Sequence, residues 1–361
     1  MKLLMLESLR KRGNMLAVVY HGPYELRVEN VPLPEIGKGE ILVKVLSASI
    51  CGTDLRIYHG NHRRFPPGTV RIPGHEVVGT IAEIGAEVSD YSIGQRVFCA
   101  PNTGCGHCEQ CISGNNNLCA QYDAIGVTSD GGFAEYVRIP ANSVRQGNVI
   151  PISDSVDPAV AALVEPFACV LRGQNVLHLK AGEVVLIMGA GPIGIMHLKL
   201  ARARGAGYII VSEPMTERAA QAQRMGADRV VNPTNEDLKT IVNEASLGHG
   251  ADVVIVAAPV HAAQEAALEM AAIGGRINYF GGLPKDRQTI NFNSNLVHYK
   301  ELLVTGTTAC STADCWQATR IVDSGLVDLS DIVSQRFPLK DALAAFAAAE
   351  DGKSLKIVLE P

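Results

Sequence analysis

Apolar and polar positions alternate with two different periods along this chain. From Met15 to about Val164 the apolar residues form short β-branched runs cut by Pro and Gly: Ala17–Tyr20, Ile41–Val45, Val77–Ile84, Arg96–Cys99 and Ala134–Ile139. Runs of that length between turn residues predict strands, and helical spacing is scarce. This part reads as a barrel-like or mixed β domain. From about Pro166 the texture changes. Val184–Met188 (VVLIM) is continuously apolar, as in a parallel strand buried on both faces. Further strand-like runs follow at Tyr208–Glu213, Arg229–Asn232, Ala251–Ala257 and Arg276–Phe280. Helical stretches such as Met215–Met225 and His261–Ala272 lie between them. Strand alternating with helix predicts a parallel sheet covered by helices. The tail holds two helical stretches, near Ala313–Ser324 and Leu339–Asp351, then a short strand, Lys356–Leu359. It is expected to pack back on the first domain. The expected organisation is α/β: an extension over 1–14, a β-rich domain over 15–165, a parallel-sheet domain over 166–305 and a returning segment over 306–361.

Composition narrows the function. The chain has 361 residues, enough for roughly two domains. With 47% hydrophobic and 19% charged residues it is not a disordered chain. The net charge of −5 and the lack of a long basic run argue against a nucleic-acid binder. No apolar run reaches the roughly 18 residues of a membrane span. The apolar run Leu3–Leu6 is too short for a signal-peptide core, so a cytoplasmic protein is expected, with an N-terminal extension of no function.

Nine cysteines are an odd number, and Cys105, Cys108, Cys111 and Cys119 crowd one short segment. That reads as metal binding rather than a disulfide scaffold. Four thiolates with no open position suit a structural zinc. An iron–sulfur cluster is the rival, but the bacterial C-x2-C-x2-C run usually closes with C-x3-C-P. Here seven residues precede the last Cys, and Ala follows it. A disulfide pair is the third reading. His107, inside the loop, reads as a bystander.

Gly189-Ala-Gly191-Pro-Ile-Gly194 fits G-x-G-x-x-G after a buried strand and before a helix, the context of a dinucleotide-binding Rossmann turn. The glycines permit the tight turn, the approach of a pyrophosphate and close packing of the helix, whose N-terminus offers free N–H groups. Glu213, nineteen residues after Gly194, is placed to grip the adenosine ribose and to repel a 2′-phosphate. NAD is therefore expected rather than NADP; Arg218, one helical turn on, either flanks the adenine side or weakens that preference. Ile193, Phe280, Gly281 and Thr307 complete the expected cofactor surface.

Cys51-Gly-Thr53-Asp54 ends an apolar strand, Gly74-His75-Glu76 follows a Pro, and Glu165-Pro166 lies at the change of texture. Singly, these read as a buried thiol, a core imidazole and solvated carboxylates. Together with ICGTD, PGHEVVG, the four-Cys loop, DGGFAEY (Asp130–Tyr136), the Glu-Pro step and GAGPIG, the chain resembles the zinc-dependent medium-chain alcohol dehydrogenase family from Met15 onward. The resemblance implies a GroES-like catalytic domain and a Rossmann domain, with the active site in the cleft between them. It implies two zinc ions per chain. Cys51, His75 and either Glu76 or Glu165 would hold the catalytic one, and Cys105, Cys108, Cys111 and Cys119 the structural one. Asp54 would orient a ligand, and Thr53 would pass on the alcohol proton. Bound zinc would supply the Lewis acidity that lets an alcohol ionise, and the nicotinamide would accept the hydride.

The Glu-Pro step resembles the polyol (sorbitol or L-iditol) branch, so a small polyol or sugar-derived alcohol is the expected substrate. Three positions depart from that branch. Arg56 stands where His is common, Ile57 where Tyr is common, and Ala309 where a substrate-binding Arg is common. Arg56, Arg63 and Arg64 raise the further possibility of a sugar acid or phosphorylated polyol, against the plainer reading of a solvated basic loop. L-threonine 3-dehydrogenase activity and a zinc- and NAD-binding protein without turnover are the alternatives. On the family pattern a homo-oligomer, tetramer or dimer, is expected, with Arg276–Phe280 and the following segment at its contact edge.

Overall fold

The first β-branched run folds as the strand Asn14–Gly22, whose residues Met15 to Tyr20 are largely buried. It pairs antiparallel with Glu25–Pro32, a strand too polar to show a clear period. The structure, a computed structural model, describes residues 13–284 and 286–361. The expectation for 1–14 falls outside these residues up to position 12, and Asn14 already belongs to the first strand. Two compact units are present: the described residues up to Ala168 together with Cys310–Pro361, and Cys169–Ala309.

In the first unit a sheet runs in the order Val333–Pro338, Lys356–Glu360, Ile41–Ser49, Glu76–Ile84, Arg96–Cys99, Val149–Pro151, with Tyr136–Ile139 paired to Ile41–Ser49 off this path. The last strand pairs antiparallel with Ile41–Ser49 (Val358 opposite Ser49, Leu359 opposite Ala48). The tail therefore joins the main sheet of the first unit. Ile41, Val43, Val77, Ile81, Val97, Phe133, Phe346 and Leu359 fill one core. Each such side chain contributes about 1.5–3 kcal/mol by leaving water. The stretch expected as one helix over Leu339–Asp351 is a 3₁₀ turn, Leu339–Asp341, followed by the helix Ala342–Glu350.

In the second unit six strands are all parallel, in the order Arg229–Val231, Tyr208–Ser212, Val184–Met188, Ala251–Val256, Ala271–Tyr279, Leu303–Gly306. Numbered within the unit this is 3-2-1-4-5-6, the doubly wound order whose reversal lies between the first and fourth strands. Val185, Leu186 and Ile187 of the first strand are fully buried, as its continuous apolar run requires. The strand that ends near Phe280 is not an edge. It bonds to Ala251–Val256 on one side and Leu303–Gly306 on the other, so the edge on that side is Leu303–Gly306.

The helix Val164–Asn175 was not legible in the sequence. Pro166 lies in its first turn, where the backbone N–H has no intrahelical acceptor to lose.

Candidate metal centres and nucleotide-binding turn

The four-Cys segment folds on itself because short helical turns, Glu109–Ile112 and Asn116–Leu118, reverse the chain twice. Its Sγ atoms lie 3.5 Å apart for Cys108–Cys111, 3.7 Å for Cys108–Cys119 and 4.0 Å for Cys105–Cys111. Four sulfurs at about 2.3 Å from one tetrahedral zinc are separated by about 3.8 Å, so the thiols stand at the spacing a single ion needs. A disulfide requires about 2.05 Å, and all four are free thiols. Sulfurs this close also leave no room for a cluster of several iron and sulfide atoms. Backbone N–H groups of Cys105 and Gln121 point at Cys119 Sγ, both at 3.3 Å. The backbone at His107 draws the Cys105 thiol down to about 6, while burial pushes Cys111 up to about 12.

The second grouping is built at the end of the strand Ile41–Ser49. Cys51 is the N-cap of the helix Gly52–Tyr58, and Asp54, in its first turn, accepts from Cys51 N at 2.8 Å through Oδ2. His75 and Glu76 enter where the strand Glu76–Ile84 starts. One ligand atom from each of Cys51, His75 and Glu76 lies within 4.8 Å of the others. His75 Nδ1 faces Asp54 Oδ1 at 3.5 Å. Burial opposes a charged His75, but Asp54 and Cys51 outweigh it and raise the imidazole well above its ordinary value. Glu76 is fully buried, and its Oε1 has no hydrogen-bond partner among the described residues. A thiol, an imidazole and an orphaned carboxylate oxygen make a donor set that fits zinc.

A residue that sequence reasoning missed completes this grouping. Lys356, 4% exposed, donates from Nζ to Ile50 O at 3.0 Å and to Glu76 Oε2. Burial alone would neutralise both partners. Contact with Glu76 raises Lys356 and keeps the ammonium, while burial lifts the Glu76 carboxyl to about 7 against the opposing pull of that ammonium. The only sequence signal was a lysine at the head of an apolar strand.

Glu165 is not within the Cys51–His75–Glu76 grouping. Its Oε1 lies 3.7 Å from Cys310 Sγ, and its charge is felt at Glu76 and Lys356. Thr53 Oγ1 accepts a hydrogen bond from Arg56 Nη2 at 2.9 Å.

In the parallel-sheet unit the turn Gly189–Gly194 joins the strand Val184–Met188 to the helix Pro192–Ala203. Gly189 has φ +107°, which favours glycine. A Cβ on Gly194 would lie 1.9 Å from Gly189 O. Gly191 caps the helix, Pro192 and Ile193 open it, and Arg218 Nη1 would be 3.8 Å from a Cβ on Gly191. Glu213, 4% exposed, accepts from Ala190 N through Oε2 at 2.8 Å and from Met215 N through Oε1 at 2.9 Å. Phe280 packs edge-on to His197 with ring centroids 4.9 Å apart. Gly281 lies against Ala258, and Thr307 donates to Asn278 Oδ1 at 3.3 Å.

Residues 37–152 match the family model for the alcohol dehydrogenase GroES-like domain, and residues 192–324 match that for zinc-binding dehydrogenase. The L-threonine 3-dehydrogenase of Chromobacterium violaceum is 34% identical over 339 residues, 93% of this chain and 96% of that one. A zinc-binding dehydrogenase structure from Sinorhizobium meliloti 1021, bound to NADP, aligns with TM-score 0.89 and 33% identity, covering 96% of this chain and 99% of that one. An alcohol dehydrogenase of Escherichia coli CFT073, complexed with NADH, aligns with TM-score 0.86 and 26% identity, covering 97% and 100%. With the four-thiol and thiol–imidazole groupings, the 3-2-1-4-5-6 sheet and its Gly-rich turn, these likenesses place the chain in the zinc-dependent medium-chain alcohol dehydrogenase family.

Proposed function

We propose that this dehydrogenase oxidises a secondary alcohol of a polyol or sugar derivative to the ketone, with NAD as acceptor and two zinc ions per chain. The observation that carries the reading is the convergence of Cys51, His75 and Glu76. These three, with Glu165 as the alternative carboxylate, would hold the catalytic zinc. Cys105, Cys108, Cys111 and Cys119 would hold the structural one. When bound, zinc supplies the Lewis acidity that lets an alcohol ionise near neutral pH, and the nicotinamide supplies the hydride acceptor.

The chain's own groups do the rest. Asp54 fixes Cys51 through its backbone N–H and faces the His75 ring nitrogen not needed for ligation. Lys356 restrains one oxygen of Glu76 and leaves the other free to ligate. Thr53 Oγ1 has a second lone pair to receive the substrate proton. Arg56 carries donors only, so the proton leaves through the Thr53 hydroxyl toward another acceptor. The buried Glu213 carboxylate at the Gly turn favours NAD, whose ribose carries no phosphate.

A homo-oligomer, dimer or tetramer, belongs to the same reading. Ile273, 80% exposed, and Leu303, 46% exposed, stand on the last two strands of the parallel sheet. Cytoplasmic location is supported by nine free cysteines. Among the described residues no helix is long and apolar enough to cross a membrane.

A second reading, L-threonine oxidation, is favoured by the 34% identity to the Chromobacterium violaceum enzyme. NAD reduction by zinc-loaded protein across polyols, sugar acids, sugar phosphates, simple secondary alcohols and L-threonine separates the two. A polyol or sugar derivative as best substrate supports the first reading. L-threonine as best substrate replaces it, and no turnover with any member overturns both.

A further inference from the structure

The helix that carries the first ligand of the thiol–imidazole centre also carries a cation toward it. Thr53 and Arg56 are three positions apart on Gly52–Tyr58 and share a face. Arg56 Nη2 donates to Thr53 Oγ1 at 2.9 Å, and Thr53 is two residues from Cys51. The guanidinium is thereby tethered at the rim of the centre by the hydroxyl assigned to the substrate proton. One of its five N–H donors is used. The remaining fork suits the two oxygens of a carboxylate or phosphate.

The local charge is not balanced from within. Asp54 lies on the same helix, but its Oδ2 is taken by Cys51 N and its Oδ1 faces His75. Among the described residues no carboxylate forms an ion pair with Arg56 or Arg63. Arg96, Arg202, Arg276 and Arg336 each have one. His62, half-buried in the following loop, senses the excess. Burial first, then Arg56, His75 and Arg63, hold its imidazole down at about 4. Its Nδ1 accepts from Arg64 N at 3.3 Å, which leaves the proton of the neutral ring on Nε2 as a further donor. Arg56 and Arg63 thus both act on the His62 imidazole, against the pull of Asp54, and among the described residues neither guanidinium has a carboxylate partner.

We propose that Arg56, assisted by Arg63 and His62, is a specificity-determining residue that receives an anionic group of the substrate, a carboxylate or a phosphate, close to the alcohol being oxidised. The inference rests on the reading of Cys51, His75 and Glu76 as the catalytic centre. It moves the substrate class from neutral polyols to hydroxy acids or phosphorylated polyols. It also explains why this position can dispense with a proton acceptor: Arg56 binds rather than relays.

The test compares neutral polyols with the sugar acids and phosphorylated polyols of the same carbon chain, on zinc-loaded protein with NAD. The anionic member of a pair is expected to have the higher kcat/KM, and whether the acid or the phosphate leads identifies the group. Arg56→Gln should lose about ten- to a hundredfold on that substrate, mainly in KM, and Arg56→Lys should recover part of it. A preference for the neutral member, or equal losses in kcat on both members, overturns the inference. A second measurement needs no turnover: titration calorimetry of malonate and of inorganic phosphate into the zinc-loaded protein. Binding that weakens about tenfold or more in Arg56→Gln supports the anion site, even if no alcohol is oxidised and the proposed function fails. Binding equal in wild type and variant, or absent from both, overturns the inference even where polyol turnover is robust.

Discussion

Glu213 Oε2 accepts a hydrogen bond from Ala190 N at 2.8 Å, tying the end of the second parallel strand to the middle of the Gly-rich turn. Its other oxygen holds Met215 N, at the head of the helix Thr216–Arg224. One carboxylate therefore sets the shape of the nucleotide turn and places a negative charge beside it. Glu213→Gln keeps the shape and one acceptor but removes the charge. The ratio of NADP to NAD affinity should rise about tenfold, the equivalent of about 1.4 kcal/mol of lost repulsion. Fluorescence titration with both reduced cofactors reads this directly. An unchanged ratio would remove Glu213 from cofactor selection.

Asp54 links two residues of the thiol–imidazole grouping, through Cys51 N and by facing His75 Nδ1. Asp54→Asn is nearly isosteric but no longer supports the imidazole with charge. Zinc affinity at this centre should fall about 10–100-fold, measured by competition with a chromogenic chelator. The four-Cys centre should keep its ion. Loss of both ions together would show that the two centres are not independent.

Gly104 packs against the thiols, and a Cβ there would lie 2.4 Å from Cys111 Sγ. Gly104→Ala should displace that sulfur. Metal content should drop by one ion per chain, and the overcrowding should cost about 1–3 kcal/mol of stability. Elemental analysis and thermal melts check both. Retention of every ion would contradict the placement of Cys111.

Lys356→Met leaves the Glu76 carboxylate buried without its cation. Breaking such a pair from one side costs about 3–5 kcal/mol, whereas removing both charges costs much less. Urea unfolding should show a large loss for Lys356→Met and substantial recovery for Lys356→Met/Glu76→Gln. A double variant no better than the single would mean that packing of the lysine stem, not charge, sets the effect.

His197 is fully buried, and burial first, then Arg204, lowers its imidazole to about 3. The unfolded chain takes up this proton near pH 6.5 and the folded unit does not. Stability is therefore fully present above 6.5 and falls as pH drops from about 6.5 toward 3, by about 1.4 kcal/mol per pH unit. Urea melts followed by circular dichroism between pH 6.5 and 4.5 should show a shallower loss in His197→Gln. Parallel curves would place the acid sensitivity elsewhere.

The sequence by itself determined the type and order of most elements, because these follow from short-range periods. VVLIM became the buried strand Val184–Met188 without adjustment, and the alternation after it became a doubly wound sheet. It also determined the four-thiol loop and the Gly turn, whose partners lie within about fifteen residues of one another. Tertiary structure decided everything that depends on distant residues meeting. Glu76 and Lys356 are 280 positions apart, and no local pattern foretells their contact. The position of Glu165 beside Cys310 was set by the helix Val164–Asn175 and a segment returning 145 positions later. The edge on that side went to Leu303–Gly306 because strand order is a property of the whole sheet. A side chain's chemistry is written at its own position. Its dielectric surroundings and its counterion are supplied by residues that only folding brings near.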